Sequence, residues 1–163
     1  MFSSIAAIGM GLSCYVVGVE RGILSRTEVV ERILTLLRFL EAGHQGAEPN
    51  ASGYKGFYYH FLDIHTGIRA AQCELSTVDT AIMMAGILTA ANYFTAPNTN
   101  ETELRKLAET LYRRVDWQWA LDKGTTLTHG WKPESGSSIP VGFRLQRSDH
   151  SLRACVGISH VSH

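Results

Sequence analysis

The sequence predicts an all-α domain of about four helices joined by two long loops, and three features carry that expectation. Two segments repeat apolar residues at the helical period, two more are apolar or small nearly all round, and serine or asparagine capping signals precede them. The 163 residues hold 15 basic and 15 acidic side chains, 45% hydrophobic residues and 4 prolines, as one ordinary globular domain does. Zero net charge leaves no electrostatic case for nucleic acid or an anionic membrane as partner. The three cysteines, Cys14, Cys73 and Cys155, are far apart and odd in number, so they read as reduced thiols, two of them core filler, rather than as a disulfide framework or metal site.

The first helix runs from Ser3 or Ser4, as cap, to about Glu20, with Gly22 as its stop. Met1 to Val19 carries no charge, but three glycines, three serines and the missing basic n-region favour a buried helix over a membrane span or secretory leader. Ser25 and Glu28 form a capping box for the second helix, where Val29, Ile33, Leu36, Leu37 and Leu40 make one apolar face. The third, about Ser76 to Phe94, is apolar nearly all round and needs enclosure by other helices; Asp79 stands at capping-box distance from Ser76. Asn100 with Glu103 caps the fourth, where Leu104, Leu107, Leu111 and Val115 line one side and Glu101, Arg105, Lys106 and Glu109 the other. Trp117 and Trp119 close it as packing residues.

Buried and one-faced helices alternate, which suggests an inner layer wrapped by an outer one, a concentric helical toroid. An ordinary bundle satisfies the pattern equally.

Chemistry is expected in the loops. Gly43 to Glu74 is too long for a plain connection and gathers Tyr54, Phe57, Tyr58, Tyr59 and Phe61 beside Asp63, Glu74 and two of its three histidines, His60 and His65. Asp122 to Gly136 carries His129, Trp131, Lys132 and Glu134. Rings interspersed with carboxylates suit a sugar, whose C–H face packs on aromatics while its hydroxyls meet polar groups. His60, Asp63 and His65 lack the spacing of a metal site, no cofactor motif is present, and no G-x-S-x-G elbow supports an esterase.

The strings YKGFYYHFLD, CELSTVDTA and LTHGWKPESG, with SSIAAIGMGLSCYVVGVERG and RRVDWQWAL, resemble the glycoamylase-like (glucoamylase-like) family, which includes bacterial endo-β-1,2-glucanases and a domain of cyclic β-1,2-glucan synthases. The resemblance runs from about Ser3 to Gly136. It implies an incomplete (α/α)6 toroid and action on a β-linked glucan, β-1,2-glucan in the first place, by hydrolysis or transglycosylation. Glycoside cleavage needs a carboxylic acid and a carboxylate, for which Glu74, Asp63 and Glu134 are the candidates. Asp63 also fits an Asx turn before Thr66 and Gly67, and Glu74 a helix-dipole partner. Tyr54, Lys55, Tyr58, His129, Trp131 and Lys132 are the expected substrate-binding residues.

After KPESG the family continues with text like FLPYRWDGYSEALLLYVLGLGSPTHP, where this chain reads SSIPVGFRLQRSDHSLRACVGISHVSH. Back-translated from Ser138 and read one nucleotide later, permitted codons give PYRWDSGYSEAIILYVLVLGSPTYP. A frameshift near Gly136 to Ser138 is therefore expected, dividing the chain into a partial glycoamylase-like domain, 1–136, and an irregular out-of-frame tail, 137–163, whose His150, His160 and His163 have no site role. The start within a family segment implies helices missing there too. Such a chain would be doubtful as an active enzyme, lacking the glutamate of GYSEA. Self-association through exposed core is expected, and the alternative function is a non-catalytic glucan-binding or vestigial fragment.

Overall fold

The structure, a computed structural model, describes residues 1–122 and 126–140. Its frame is helical: α1 (Ile5–Glu20), α2 (Arg26–Ala42), α3 (Thr77–Tyr93) and α4 (Thr99–Arg114). The long loops are not structureless. They and the N-terminus contain β1 (Phe2–Ser4), β2 (Gly53–Tyr54), β3 (Phe57–Tyr58), β4 (Phe61–Asp63), β5 (Leu75–Ser76), β6 (Leu121–Asp122), β7 (Thr126–Lys132) and β8 (Ser137–Pro140). Residues 137–140, expected to be irregular, pair with β7 after a turn at Gly136, whose φ of 59° suits glycine. The rest of that tail, with Cys155, lies outside the described residues.

Helix starts follow the sequence in part. Ser76 Oγ accepts the Asp79 N–H at 3.1 Å, as its spacing predicts. Ser4 and Ser25 hold cap positions without side-chain cap bonds. At Ser4 a strand occupies the place of the cap: β1 pairs with β4, and the Ile5 N–H donates to the His60 carbonyl at 3.2 Å. The cap of α4 lies two residues earlier than expected, where Asn98 accepts the Glu101 N–H at 2.8 Å. Glu101 consequently faces inward rather than to solvent. It is 3% exposed, ion-paired with Arg26 at 2.8 Å, and accepts the Ala96 N–H at 2.7 Å.

α1 packs along α3, and α2 along α4. Each pair runs parallel. Tyr93 at the end of α3 donates to Glu20 at the end of α1, at 2.8 Å, and Arg114 at the end of α4 donates to the Glu41 carbonyl near the end of α2, at 3.1 Å. The inner pair is close because glycines face each other: a Cβ at Gly86 would overlap the Gly9 carbonyl, and one at Gly9 would lie 2.6 Å from Met83 Cα. The core is filled by Leu12 and Ile5 of α1, Val29, Ile33, Leu37 and Leu40 of α2, Met83 and Ile87 of α3, and Leu104 and Leu111 of α4.

Full enclosure of the apolar helices is not found. Met10, Cys14 and Val17 on α1, and Val78, Ala81 and Ala85 on α3, are exposed, because the described helices cover one side of the inner pair only. Of the two cysteines described, Cys73 is buried and Cys14 is not. No described helix is long and apolar enough to cross a membrane. Short connections join the helices at one end, and the strands gather at the other, where α1 and α3 begin.

Candidate functional site

At that end β3, β5, β7 and β8 stand side by side as an antiparallel wall. Tyr59 bridges Leu75, Leu75 pairs with Trp131, and Trp131 with Ser138. Alternation along a strand then assigns the faces. Tyr59, Leu75 and Trp131 point to the interior and are buried. One residue away the register places His60, Glu74 and Lys132 in a row on the opposite face, and all three are half-buried. The His60 N–H donates to the Glu74 carbonyl at 2.9 Å, fixing that part of the row.

Gly130 on β7 gives Glu74 its room. A Cβ there would overlap the Leu75 carbonyl and lie 3.2 Å from Glu74 Cγ, so the Glu74 side chain rests over the glycine. Among the described residues Glu74 makes no side-chain hydrogen bond or ion pair. Beside it, His60 Nδ1 is bonded to Asp79 Oδ2 on the first turn of α3. Asp79 thus serves twice: its N–H completes the helix cap, and its carboxylate holds the histidine.

The other two candidate carboxylates are not brought to Glu74's row; each has its own partners. Asp63 Oδ1 accepts the N–H groups of His65 and Thr66, both at 3.0 Å, and the Thr66 hydroxyl, the Asx turn named as its alternative. The backbone donors of Thr66 and His65 hold its carboxyl down at about 2, so that at neutral pH it is an anion rather than a proton donor. Glu134 chelates Arg69, whose hydrogen bonds lower its carboxyl below the ordinary range. Arg69 also donates to the Cys73 carbonyl at 2.6 Å and the Gln72 carbonyl at 2.9 Å and covers the Tyr59 ring, so this pair ties the β7–β8 turn to the loop before β5.

The expected aromatic platform is largely folded on itself. Tyr54 and Trp131 stack at 4.9 Å, with Trp119 edge-on to both. Trp131 is 8% exposed. Tyr58 is in the core, its hydroxyl donating to the Leu40 carbonyl at 2.8 Å, and burial raises that hydroxyl to about 12. Lys55 and Gly56, both at positive φ, form the two-residue turn between β2 and β3, and Lys55 lies 3.8 Å from Asp116. His129 is exposed on β7, and Lys132 reaches the open face. His60 and Asp79 carry no local motif that marks them as partners; the bond appears only once β3 meets the start of α3. Among the described residues no three His, Cys, Asp or Glu side chains converge as metal ligands.

The Asx turn yields a first prediction. Asp63→Ala removes the acceptor for two amides, and hydrogen exchange at His65 and Thr66 should rise about tenfold. Because the folded carboxyl is depressed, the turn should persist below Asp's ordinary 3.8 and loosen only as pH falls through about 2. Exchange unchanged in the variant would refute this role.

No family model matches the chain. Over 118 residues it is 34% identical to an exo β-1,2-glucooligosaccharide sophorohydrolase (non-reducing end) of Parabacteroides distasonis, an alignment covering 69% of this chain and 15% of that one. Its fold superposes on a glucoamylase-like protein of Bacteroides uniformis with TM-score 0.72 and 29% identity, covering 83% of this chain and 32% of the other. An endo-β-1,2-glucanase of Chitinophaga pinensis, solved with sophorotriose and glucose, gives TM-score 0.72 and 26% identity over 83% of this chain and 31% of the other. The chain thus spans a third or less of the length of these proteins. With the nested parallel helix pairs and the strand wall at their mouth, these likenesses identify the chain as part of a glycoamylase-like domain, an incomplete (α/α)6 toroid.

Proposed function

We propose that the chain forms one wall of a β-1,2-glucan site, in which the row containing Glu74 and Lys132 meets the sugar. The observation that carries this reading is the open-face carboxylate of Glu74, without a cation partner among the described residues, on a chain whose relative is a sophorohydrolase and whose fold neighbour holds sophorotriose. Glu74 is the carboxylate offered to a glucosyl unit, Lys132 and His129 donate to hydroxyls, Tyr54, Tyr58 and Trp131 pack behind the wall, and Lys55 stands in the exposed turn between β2 and β3. Asp63 and Glu134 set the loops on either side. Acid and base act as a unit in glycoside cleavage. The chain by itself is therefore proposed to bind glucan with little or no turnover, the rest of the toroid supplying the remaining catalytic groups. A frameshift near Gly136 to Ser138 is part of the same proposal, resting on the departure of the text after KPESG from the family's; sequencing the gene through those codons checks it, and an unshifted reading would discard it.

Calorimetric titration with sophorotriose, with cellotriose as control and with product analysis on linear β-1,2-glucan, tests the reading. Saturable binding of sophorotriose alone, without shortened glucan, is expected. Absence of binding, or equal binding of both sugars, would reject it.

The uncovered stripes of α1 and α3 carry a further prediction. Burial of their apolar surface by a second copy should make the chain self-associate in sedimentation experiments, and Met10→Lys with Val17→Glu should shift it to monomer. A monomeric unaltered chain would refute the expectation.

A further inference from the structure

Resting on the glucan reading, we infer that His60 is a sugar-binding residue whose Nε2 contacts the glucan, and that Asp79 is the positioning residue that aims it. The two ring nitrogens have different surroundings. Nδ1 is bonded to the Asp79 carboxylate, which accepts only, so Nδ1 carries the proton. The backbone of His60 is held at both ends, by its N–H on the Glu74 carbonyl and by its carbonyl under the Ile5 N–H at 3.2 Å, and Phe61 stands edge-on to the ring at 4.0 Å. These contacts leave the imidazole little freedom to turn. Nε2 has no partner among the described residues. It belongs to a half-buried ring in the same row as Glu74. Asp79 is itself fixed, because it belongs to the first turn of α3 and its N–H is bound by the Ser76 cap.

The pair therefore has the form of a rigid hydroxyl-binding group: a carboxylate fixes one nitrogen, the other is presented, and a second carboxylate, Glu74, stands beside it. Neighbouring hydroxyls of one glucosyl ring, one donating to Nε2 and the other to the Glu74 carboxylate, are the ligand this spacing suits. A hydrogen bond serving only to hold the segment after β3 onto α3 would place no demand on Nε2, and this separates the two roles experimentally.

Asparagine at position 60 keeps an amide where Nδ1 lies and can still bond Asp79, but offers nothing at Nε2. Glutamine reaches the Nε2 position instead. Sophorotriose binding to the full chain should weaken about tenfold in His60→Asn and stay within about threefold of the unaltered chain in His60→Gln. Asp79→Ala should weaken it about tenfold, and adding Asp79→Ala to His60→Asn should cost nothing more, since Asp79 acts through the histidine. In long-range nitrogen–proton NMR spectra of the unaltered chain, His60 should show a protonated Nδ1. The opposite order, with asparagine rescuing and glutamine not, or additive losses in the double variant, overturns the inference and leaves the glucan reading intact. Absence of sophorotriose binding by the unaltered chain overturns both.

Discussion

Replacing Gly86 by alanine is expected to destabilise the chain by about 2 kcal/mol, while the same change at Gly11 is expected to stabilise it by up to about 1 kcal/mol. Both glycines are inside helices, so each substitution gains the same intrinsic preference. They differ in what a methyl group meets. At Gly86 it would overlap the Gly9 carbonyl and Gly9 Cα, backbone atoms that cannot swing aside, so α1 and α3 must separate; at Gly11 it meets nothing within 4 Å. Separation would also disturb the mouth, because the chain enters α1 and α3 from β1 and β5. Urea melts of the two variants check this. Equal shifts for both would mean that the inner pair does not meet through glycine.

Glu101→Gln is expected to destabilise the chain by about 3 kcal/mol at neutral pH. The Arg26 guanidinium holds the Glu101 carboxyl at about 2, against an ordinary 4.5, with the Ala96 N–H and Asn98 side chain adding to it. A shift of this size between unfolded and folded states corresponds to about 3 kcal/mol. Its sign follows from the depression: the contribution is present in full above 4.5 and is lost as pH falls through about 2. The variant's deficit should therefore shrink on acidification, and a deficit equal at neutral pH and near pH 2 would show that packing, not charge, stabilises this corner. The same carboxylate explains why the cap of α4 is misplaced by sequence. Asn98 and Asn100 each precede a glutamate by three residues, and only the inward course of Glu101 toward Arg26 chooses between them.

The helices were legible because α2 and α4 repeat apolar residues over about three turns and α1 and α3 are long apolar runs, signals that survive an error at either end. The strands were not. Most are two or three residues long, too short for alternation to show, and they form by pairing with distant segments. Glu74 and Lys132 could be named as site residues from the strings around them, but their place in one row depends on the register of β5 on β7. Asp79 is legible as a cap residue and His60 as one of three weak metal-ligand candidates, but their pairing is hidden for the same reason. Asp63 was read with two roles, and its three local hydrogen bonds, all within the next three residues, satisfy the turn. Tyr54, Tyr58 and Trp131 show the limit of composition: aromatic density fits a sugar platform and a core equally well, and burial separates them.

The central claim is that the face bearing His60, Glu74 and Lys132 meets a β-1,2-linked glucan. Amide chemical-shift mapping of the full chain during titration with sophorotriose tests it directly. Saturating shifts confined to these residues and their strand neighbours, abolished in Glu74→Ala, are the predicted result. Shifts centred instead on the Asp63 turn or the exposed stripes of α1 and α3, or none at all, would contradict it.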